Sequence, residues 1–116
     1  MSELDGFVLI KPAEKLYPIS LSIVTEHMYV TVSRGAFTAL DCPKFCNVFI
    51  DANRKRVMVK EAQEGWQNTF RLAQNKSKRS ARINNKELAQ TLGSLFEQTV
   101  IPGHVAGDGI VIFQEE

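Results

Sequence analysis

Cysteine is scarce in this sequence, which contains only Cys42 and Cys46 among its 116 residues. A disulfide framework needs more cysteines than one close pair, and a structural zinc site needs about four ligands. His27 and His104 are distant from the pair along the chain and show no ligand spacing. We therefore expect no metal or other cofactor, and two reduced thiols of which at least one packs as a small hydrophobic side chain.

Long hydrophobic runs are also missing. No stretch approaches the roughly 20 apolar residues of a membrane span. Residues 1–7 show neither the basic start nor the apolar stretch of a secretory signal peptide. The sequence accordingly predicts a cytoplasmic protein with no membrane partner.

Motifs that carry catalysis are absent as well. The sequence has no GxSxG, HExxH, P-loop or GxGxxG pattern. The glycine-rich stretch at residues 103–109 has no following helix whose free amides could hold a phosphate, so it predicts a hairpin turn instead. We expect a protein that is not an enzyme.

What is present is the composition of one globular domain. The chain is 44% hydrophobic and 23% charged, unlike a disordered segment. Its length allows one core but not two independent ones, so residues 1–116 form a single predicted domain. The net charge of +1 hides an uneven distribution, because ten of the fourteen Lys and Arg residues lie between Arg54 and Lys86.

The chain matches itself when it is shifted by 51 residues. The apolar positions that coincide are Leu21 with Leu72, Val30 with Ala81, Val32 with Ile83, Phe37 with Leu88, Phe49 with Val100, and Ile50 with Ile101. This predicts two β-β-α-β-β units at residues 19–62 and 70–114, joined by a hinge at 62–68. In the N-terminal extension, residues 1–18, we expect an added strand at residues 7–11.

Each predicted helix has a start and a stop signal. Ser33 can cap the first helix, and the Cys42-Pro43 pair ends it. Asn84 takes the capping position of the second helix, with Glu87 at the spacing of a capping box and Gly93 suited to the helix end. A unit of this size buries too little surface to fold alone, so the two units are expected to interleave their strands around one core.

The order of these elements resembles a known family. The first unit reads Val30-Thr31-Val32-Ser33, a short helix at 34–40, then Val48-Phe49-Ile50 and a strand at 56–60. This pattern resembles the SpoVT-AbrB-type swapped-hairpin domain, and the tandem copies are similar to the arrangement in MraZ proteins. The resemblance implies a mostly β fold with two short helices, built as a pseudo-dimeric swapped-hairpin barrel. For many members it also implies DNA binding in transcription regulators or antitoxins.

Basic residues of the second unit are the candidate DNA-binding groups, with a second cluster at a hairpin turn of the first unit. The candidates are Arg71, Lys76, Lys78, Arg79, Arg82 and Lys86, together with Arg54, Lys55 and Arg56. A protruding β-ribbon can enter a major groove while Lys and Arg neutralise phosphates. The first unit has Glu26 and His27 where the second has Ser77 and Lys78. We therefore do not expect the two units to bind DNA in the same way.

Two functions remain open from the sequence. The first is a DNA-binding regulator that uses the second hairpin, favoured by the clustering of cations. The second is a non-catalytic interaction or assembly module with a protein partner or a second copy of the chain, favoured by the net charge near zero.

Overall fold

The computed structural model describes residues 3–10, 18–75 and 79–115. Nine strands and two helices lie in these ranges. They are β1 (Ser20–Val24), β2 (Tyr29–Val32), α1 (Arg34–Ala39), β3 (Phe45–Asp51), β4 (Arg56–Ala62), β5 (Phe70–Arg71), β6 (Ala73–Asn75), β7 (Ser80–Ile83), α2 (Lys86–Leu95), β8 (Val100–Gly107) and β9 (Ile110–Gln114). The fold is mostly β with two helices, as the sequence predicts.

All described strands belong to one antiparallel sheet, which nearly closes into a barrel. The strand order is β5-β3-β4-β9-β8-β1-β2-β7-β6. The two strands at the margins, β5 and β6, follow one another in the chain and are separated only by Leu72. Because β5 pairs with β3 and β6 pairs with β7, the same stretch of chain links the two margins of the sheet.

Alternation of apolar and polar residues produces the core. Leu21 and Ile23 of β1 are buried, whereas Ser20 and Ser22 point to the other face, as successive side chains of a strand must. The side chains that no solvent reaches come from most of the strands and from both helices. The largest are Phe113, Leu21, Leu40, Ile83, Leu92, Ile101, Val30, Val32, Val57, Val59, Val111 and Cys46. Burial of Cys46 confirms that one thiol packs as a small apolar side chain.

The helices begin where side chains satisfy free backbone amides. Ser33 caps α1 as predicted, and its hydroxyl oxygen accepts from the Ala36 amide at 3.3 Å and from the Ser20 amide at 2.9 Å. The prediction for α2 was wrong by one residue. Asn85, not Asn84, accepts from the Leu88 amide at 2.8 Å, because Asn85 is the last residue with extended backbone angles.

This difference between adjacent asparagines can be measured. Asn85→Ala removes the capping bond, so we expect the free energy of unfolding to fall by about 1 kcal/mol. Asn84→Ala is the matched control, since the exposed Asn84 caps nothing and its loss should leave stability nearly unchanged. Urea denaturation of both variants checks this. Equal destabilisation by the two substitutions would contradict the assigned cap.

Two predicted boundaries differ from the structure in the second unit. Gly93 lies inside α2, which continues to Leu95. The predicted hairpin turn at residues 103–109 is mostly strand, and only Asp108 and Gly109 form the turn between β8 and β9. Gly109 has a φ of 69°, a conformation that glycine adopts without steric cost, and this allows so short a turn.

The 51-residue spacing does not hold beyond the helices. It matches Ile50 with Ile101, yet Ile101 is buried while Ile50 is 42% exposed. The reason is that α2 has ten residues and α1 has six, so the strands that follow are displaced along the sequence. Cys46, which is fully buried on β3, is a better counterpart of Ile101.

The predicted N-terminal strand is not formed. Residues 7–10 have no secondary structure, and their side chains are exposed. Without a neighbouring strand, the backbone of this segment has no ladder of hydrogen bonds to join. Lys11, the last residue of the predicted strand, lies outside the described residues.

Candidate nucleic-acid interface

The seven predicted cations that the structure describes are spread over several elements rather than gathered in one patch. Lys76 and Lys78 lie outside the described residues. Arg54 and Lys55 form the turn between β3 and β4, Arg56 begins β4, Arg71 ends β5, Arg79 precedes β7, Arg82 lies on β7, and Lys86 begins α2. All of these except the half-buried Arg56 are exposed.

Strand order places the two predicted clusters in different parts of the sheet. The turn at residues 52–55 precedes β4, which is third in the order. Arg79 precedes β7 and Arg82 lies on it, and β7 is eighth in the order. Strands β9, β8, β1 and β2 therefore lie between the two clusters.

Arg82 is the cation that the fold positions most closely. It pairs across the sheet with Thr31 of β2 and with Ala73 of β6. Its guanidinium carbon lies 4.3 Å from the centre of the Tyr29 ring. This is a cation–π contact, which holds the guanidinium above the strand face while its N–H donors stay available.

His27 extends the same arrangement towards the β1–β2 turn. Its ring stacks on Tyr29, with centroids 6.2 Å apart and planes inclined by 12°. Three planar side chains from two hairpins, at residues 27, 29 and 82, thus form one stack on the outer surface. We call it the Arg82–Tyr29–His27 stack. Sequence reasoning missed it, because Tyr29 and Arg82 are 53 residues apart and meet only through the β2–β7 pairing.

The outer face of β1, β2, β7 and β6 is rich in hydroxyl groups. Ser22 pairs with Thr31, and Thr31 pairs with Arg82, so two hydroxyls and a guanidinium follow one another across three strands. None of these four strands contains Asp or Glu. Hydroxyls and arginines are common donors to phosphate oxygens. We refer to this surface, with the Arg82–Tyr29–His27 stack on it, as the polar face.

Arg56 is less available than the other cations. Its Nε donates to the Asp51 carboxylate at 3.0 Å, across the first pair of the β3–β4 hairpin. This hydrogen bond from Arg56 lowers the pKa of Asp51, helped by the Arg54 amide, which donates to the same carboxylate at 3.3 Å. The charge of Arg56 is therefore partly compensated within the hairpin.

Arg71 lines a surface cavity with a volume of about 490 Å³. The other lining residues include Phe70, Ile83 and the pair Asn84–Asn85. It marks the place where β5 and β7 diverge, since β5 pairs with β3 and only β6 pairs with β7. The sheet is thus incompletely closed at this point.

The opposite wall of the barrel has a different chemical character. Phe49 pairs with Met58, and Met58 pairs with Ile112, so three apolar side chains form a row on the outside of β3, β4 and β9. Phe49 is 48% exposed. We call this surface the apolar face.

The thiols have no catalytic or metal-binding setting among the described residues. Cys42 is exposed and Cys46 is buried, and neither forms a disulfide. Burial raises the pKa of the Cys46 thiol to about 12, which keeps it protonated near neutral pH. In the same part of the chain, no group of three or more His, Cys, Asp or Glu residues could hold a metal ion.

Comparisons with known proteins give no relative for this chain. No protein-family model matches it, and no curated protein and no solved structure shows significant similarity. Neither α1 nor α2 has the length or the apolar composition that crossing a lipid bilayer requires, and the search covers the described residues only.

Proposed function

We propose that the chain is a tandem SpoVT-AbrB-like protein in which two swapped-hairpin units interlock in one barrel. Reciprocal pairing of corresponding strands supports this. Val30 pairs with Ile83, and Val32 pairs with Ala81. In the 51-residue repeat, Val30 corresponds to Ala81 and Val32 to Ile83. Replacing each residue of one pair by its repeat equivalent therefore gives the other pair. The final strands behave alike, because β4 of one unit pairs with β9 of the other, antiparallel. Neither unit then has a complete sheet of its own.

Within this proposal, the function is binding of duplex DNA through the polar face, in the manner of a transcription regulator or antitoxin-like protein. The observation that carries it is the position of Arg82. It lies in the middle of a hydroxyl-rich sheet face whose strands contain no carboxylate, and the Tyr29 ring orients it outward. Arg79 stands at the end of the same strand, so two guanidiniums can meet successive phosphates along a backbone.

The test is binding of the whole chain to a fluorescent 30-base-pair duplex at several salt concentrations. The proposal expects binding at low salt that weakens steeply as salt increases, because each phosphate neutralised releases condensed counterions. A pool of random duplexes serves first, since no target sequence is known. Absence of binding at low salt, or affinity that ignores salt, would rule the proposal out.

A second candidate function rests on the apolar face. The row of Phe49, Met58 and Ile112 on a sheet surface is the kind of patch that binds another protein. A non-catalytic assembly module would use this face and leave the polar face unoccupied. Failure of DNA binding, together with stable association through the apolar face, would favour this alternative.

A further inference from the structure

The N-terminal segment exposes four consecutive large apolar side chains. Phe7, Val8, Leu9 and Ile10 are 80%, 78%, 85% and 82% exposed. A run that is apolar at every position, rather than at alternate ones, is typical of a strand buried on both faces. Exposure of so much apolar surface is unfavourable in water, so this segment, which we call the arm, has the character of a strand without a sheet.

The barrel has an unpaired strand edge of matching length along β3, at residues 48–51, which we call the vacancy. Strand β5 pairs with β3 only at Phe45 and Cys46, and the side chain of Asn47 donates to the carbonyls of Gln67 and Asn68. From Val48 to Asp51, no described strand lies on that side of β3. Along this four-residue stretch of β3, every second residue therefore directs its backbone N–H and C=O away from β4 without a partner strand, the feature that accepts an added strand.

Both faces of a strand added there would meet apolar side chains within mixed linings, which also include Asn85, Glu87 and Thr91 on one side and Asp51 and Arg56 on the other. On the inner side, Val48 and Ile50 line a cavity of about 270 Å³ together with Leu88 of α2. On the outer side, Phe49 and Met58 line a second cavity of about 170 Å³. This double-sided environment matches the continuous apolar pattern of the arm, and the four residues of the vacancy match its length.

Charge favours an antiparallel arrangement. An arm antiparallel to β3 places its N-terminal end beside Asp51, at the β3–β4 turn. Glu3 and Asp5, which precede the arm, then approach the exposed Arg54 and Lys55 of that turn. A parallel arm would carry these carboxylates to the other end of β3 instead.

Chain length decides between the chain's own arm and that of another copy. Strand β1, which the arm precedes, lies four strand positions from β3 through β4, β9 and β8. The other direction, through β7 and β2, is equally long when the consecutive strands β5 and β6 are counted as one position. With strands about 4.8 Å apart and a side-chain layer about 5 Å thick, half a turn around the outside measures roughly 35 Å. Residues 10–20 reach at most about 33–36 Å when fully extended, which leaves no slack for the rise along the barrel.

We propose that the arm of a second copy of this chain adds to β3, and that two chains exchange arms reciprocally to form a symmetric dimer. Each arm residue from Phe7 to Ile10 pairs with the β3 residues from Asp51 to Val48. The exchange covers both open edges and both sets of apolar side chains. The proposal does not depend on DNA binding, because neither the arm nor β3 contains a residue assigned to the polar face.

The first experiment measures the oligomeric state by sedimentation velocity over a wide range of protein concentrations. The wild-type chain is expected to be a dimer. The arm variant Val8→Asp/Leu9→Asp places one carboxylate on each side of the added strand and should weaken association at least tenfold. Val105→Asp is the matched control, since Val105 is a half-exposed apolar residue of β8, remote from β3, and its replacement should leave the dimer intact.

Mixing two defective chains separates exchange from docking of each arm on its own barrel. Ile50→Asp disables the vacancy but leaves the arm, whereas Val8→Asp/Leu9→Asp disables the arm but leaves the vacancy. Each variant alone should be monomeric. An equimolar mixture should form a heterodimer, detected by its mass in native mass spectrometry, because one intact arm meets one intact vacancy.

Circular dichroism checks that both variants keep the barrel, as expected from the exposure of the substituted residues. A monomeric wild-type chain at all concentrations overturns the proposal. A dimer that persists in the arm variant also overturns it. So does an equimolar mixture that forms no heterodimer at a concentration at which the wild-type chain is fully dimeric.

Discussion

Phe113→Ala is expected to lower the free energy of unfolding by about 3–5 kcal/mol, the range for truncation of a buried phenylalanine. Phe113 is fully buried, and it pairs with Val57 of β4 and with Gly103 of β8. A Cβ built on Gly103 would lie 2.6 Å from the Phe113 ring, so the ring packs directly on that glycine. Its removal leaves a cavity that the rigid sheet cannot fill.

Phe49→Ala is the matched control for this prediction. It makes the same chemical change at a side chain that is 48% exposed, so its cost should be about 1 kcal/mol or less. Urea denaturation followed by circular dichroism measures both, at the lowest protein concentration that gives a signal, where association contributes least. Since domains of this size are stable by about 5–15 kcal/mol, the difference is large relative to the total. Comparable losses at the two positions would show that Phe113 is not a central core residue.

The sequence predicts the strands well where one face is buried. Leu21 and Ile23 alternate with serines, and Val30 and Val32 alternate with Tyr29 and Thr31, which is the period of a half-buried strand. Boundaries at chain reversals are harder to predict. Asn84 and Asn85 have the same capping chemistry, and only the end of β7 at Ile83 decides which of them turns into the helix.

Closure of the sheet could not be predicted from local patterns. The pairing of β5 with β3, and the break at Leu72 that separates β5 from β6, depend on contacts between residues distant in sequence. The amide of Leu72 donates to the carbonyl of Lys44 at 2.8 Å, so this residue stays with β3 while the next three pair with β7. The vacancy along β3 follows from that division, and nothing in residues 45–51 alone indicates it.

The sequence indicates candidate cations but not how the sheet arranges them. Charge clustering along the chain indicates two groups of cations, at residues 54–56 and 71–86, but not where they lie relative to each other. Strand order separates β4 from β7 by five positions. The hydroxyls of Ser22 and Thr31 were visible only as the polar half of an alternating pattern. Their place beside a guanidinium follows only from the pairing of Thr31 with Arg82.

The separation of the two cationic clusters yields the sharpest test of the proposed function. Arg79→Ala/Arg82→Ala should weaken binding of duplex DNA by roughly 10–100-fold at moderate salt, since each arginine–phosphate contact contributes about 1 kcal/mol or more. It should also reduce the slope of log affinity against log salt by about 2, because two fewer counterions are released. Titration of the fluorescent duplex at four salt concentrations measures both quantities.

Arg54→Ala/Lys55→Ala is the control with the same loss of charge. The pairs are also matched in backbone strain, because Arg79 and Lys55 both have positive φ, 54° and 50°. If the polar face binds DNA, the control should keep most of the affinity and of the salt slope, since its residues precede β4, five strand positions from β7. Equal losses in the two variants would mean that DNA responds only to net charge. A larger loss of affinity in the control would place the DNA interface at the β3–β4 turn instead. The arm of a second chain is proposed to bring carboxylates to that turn, so DNA would then compete with dimer formation.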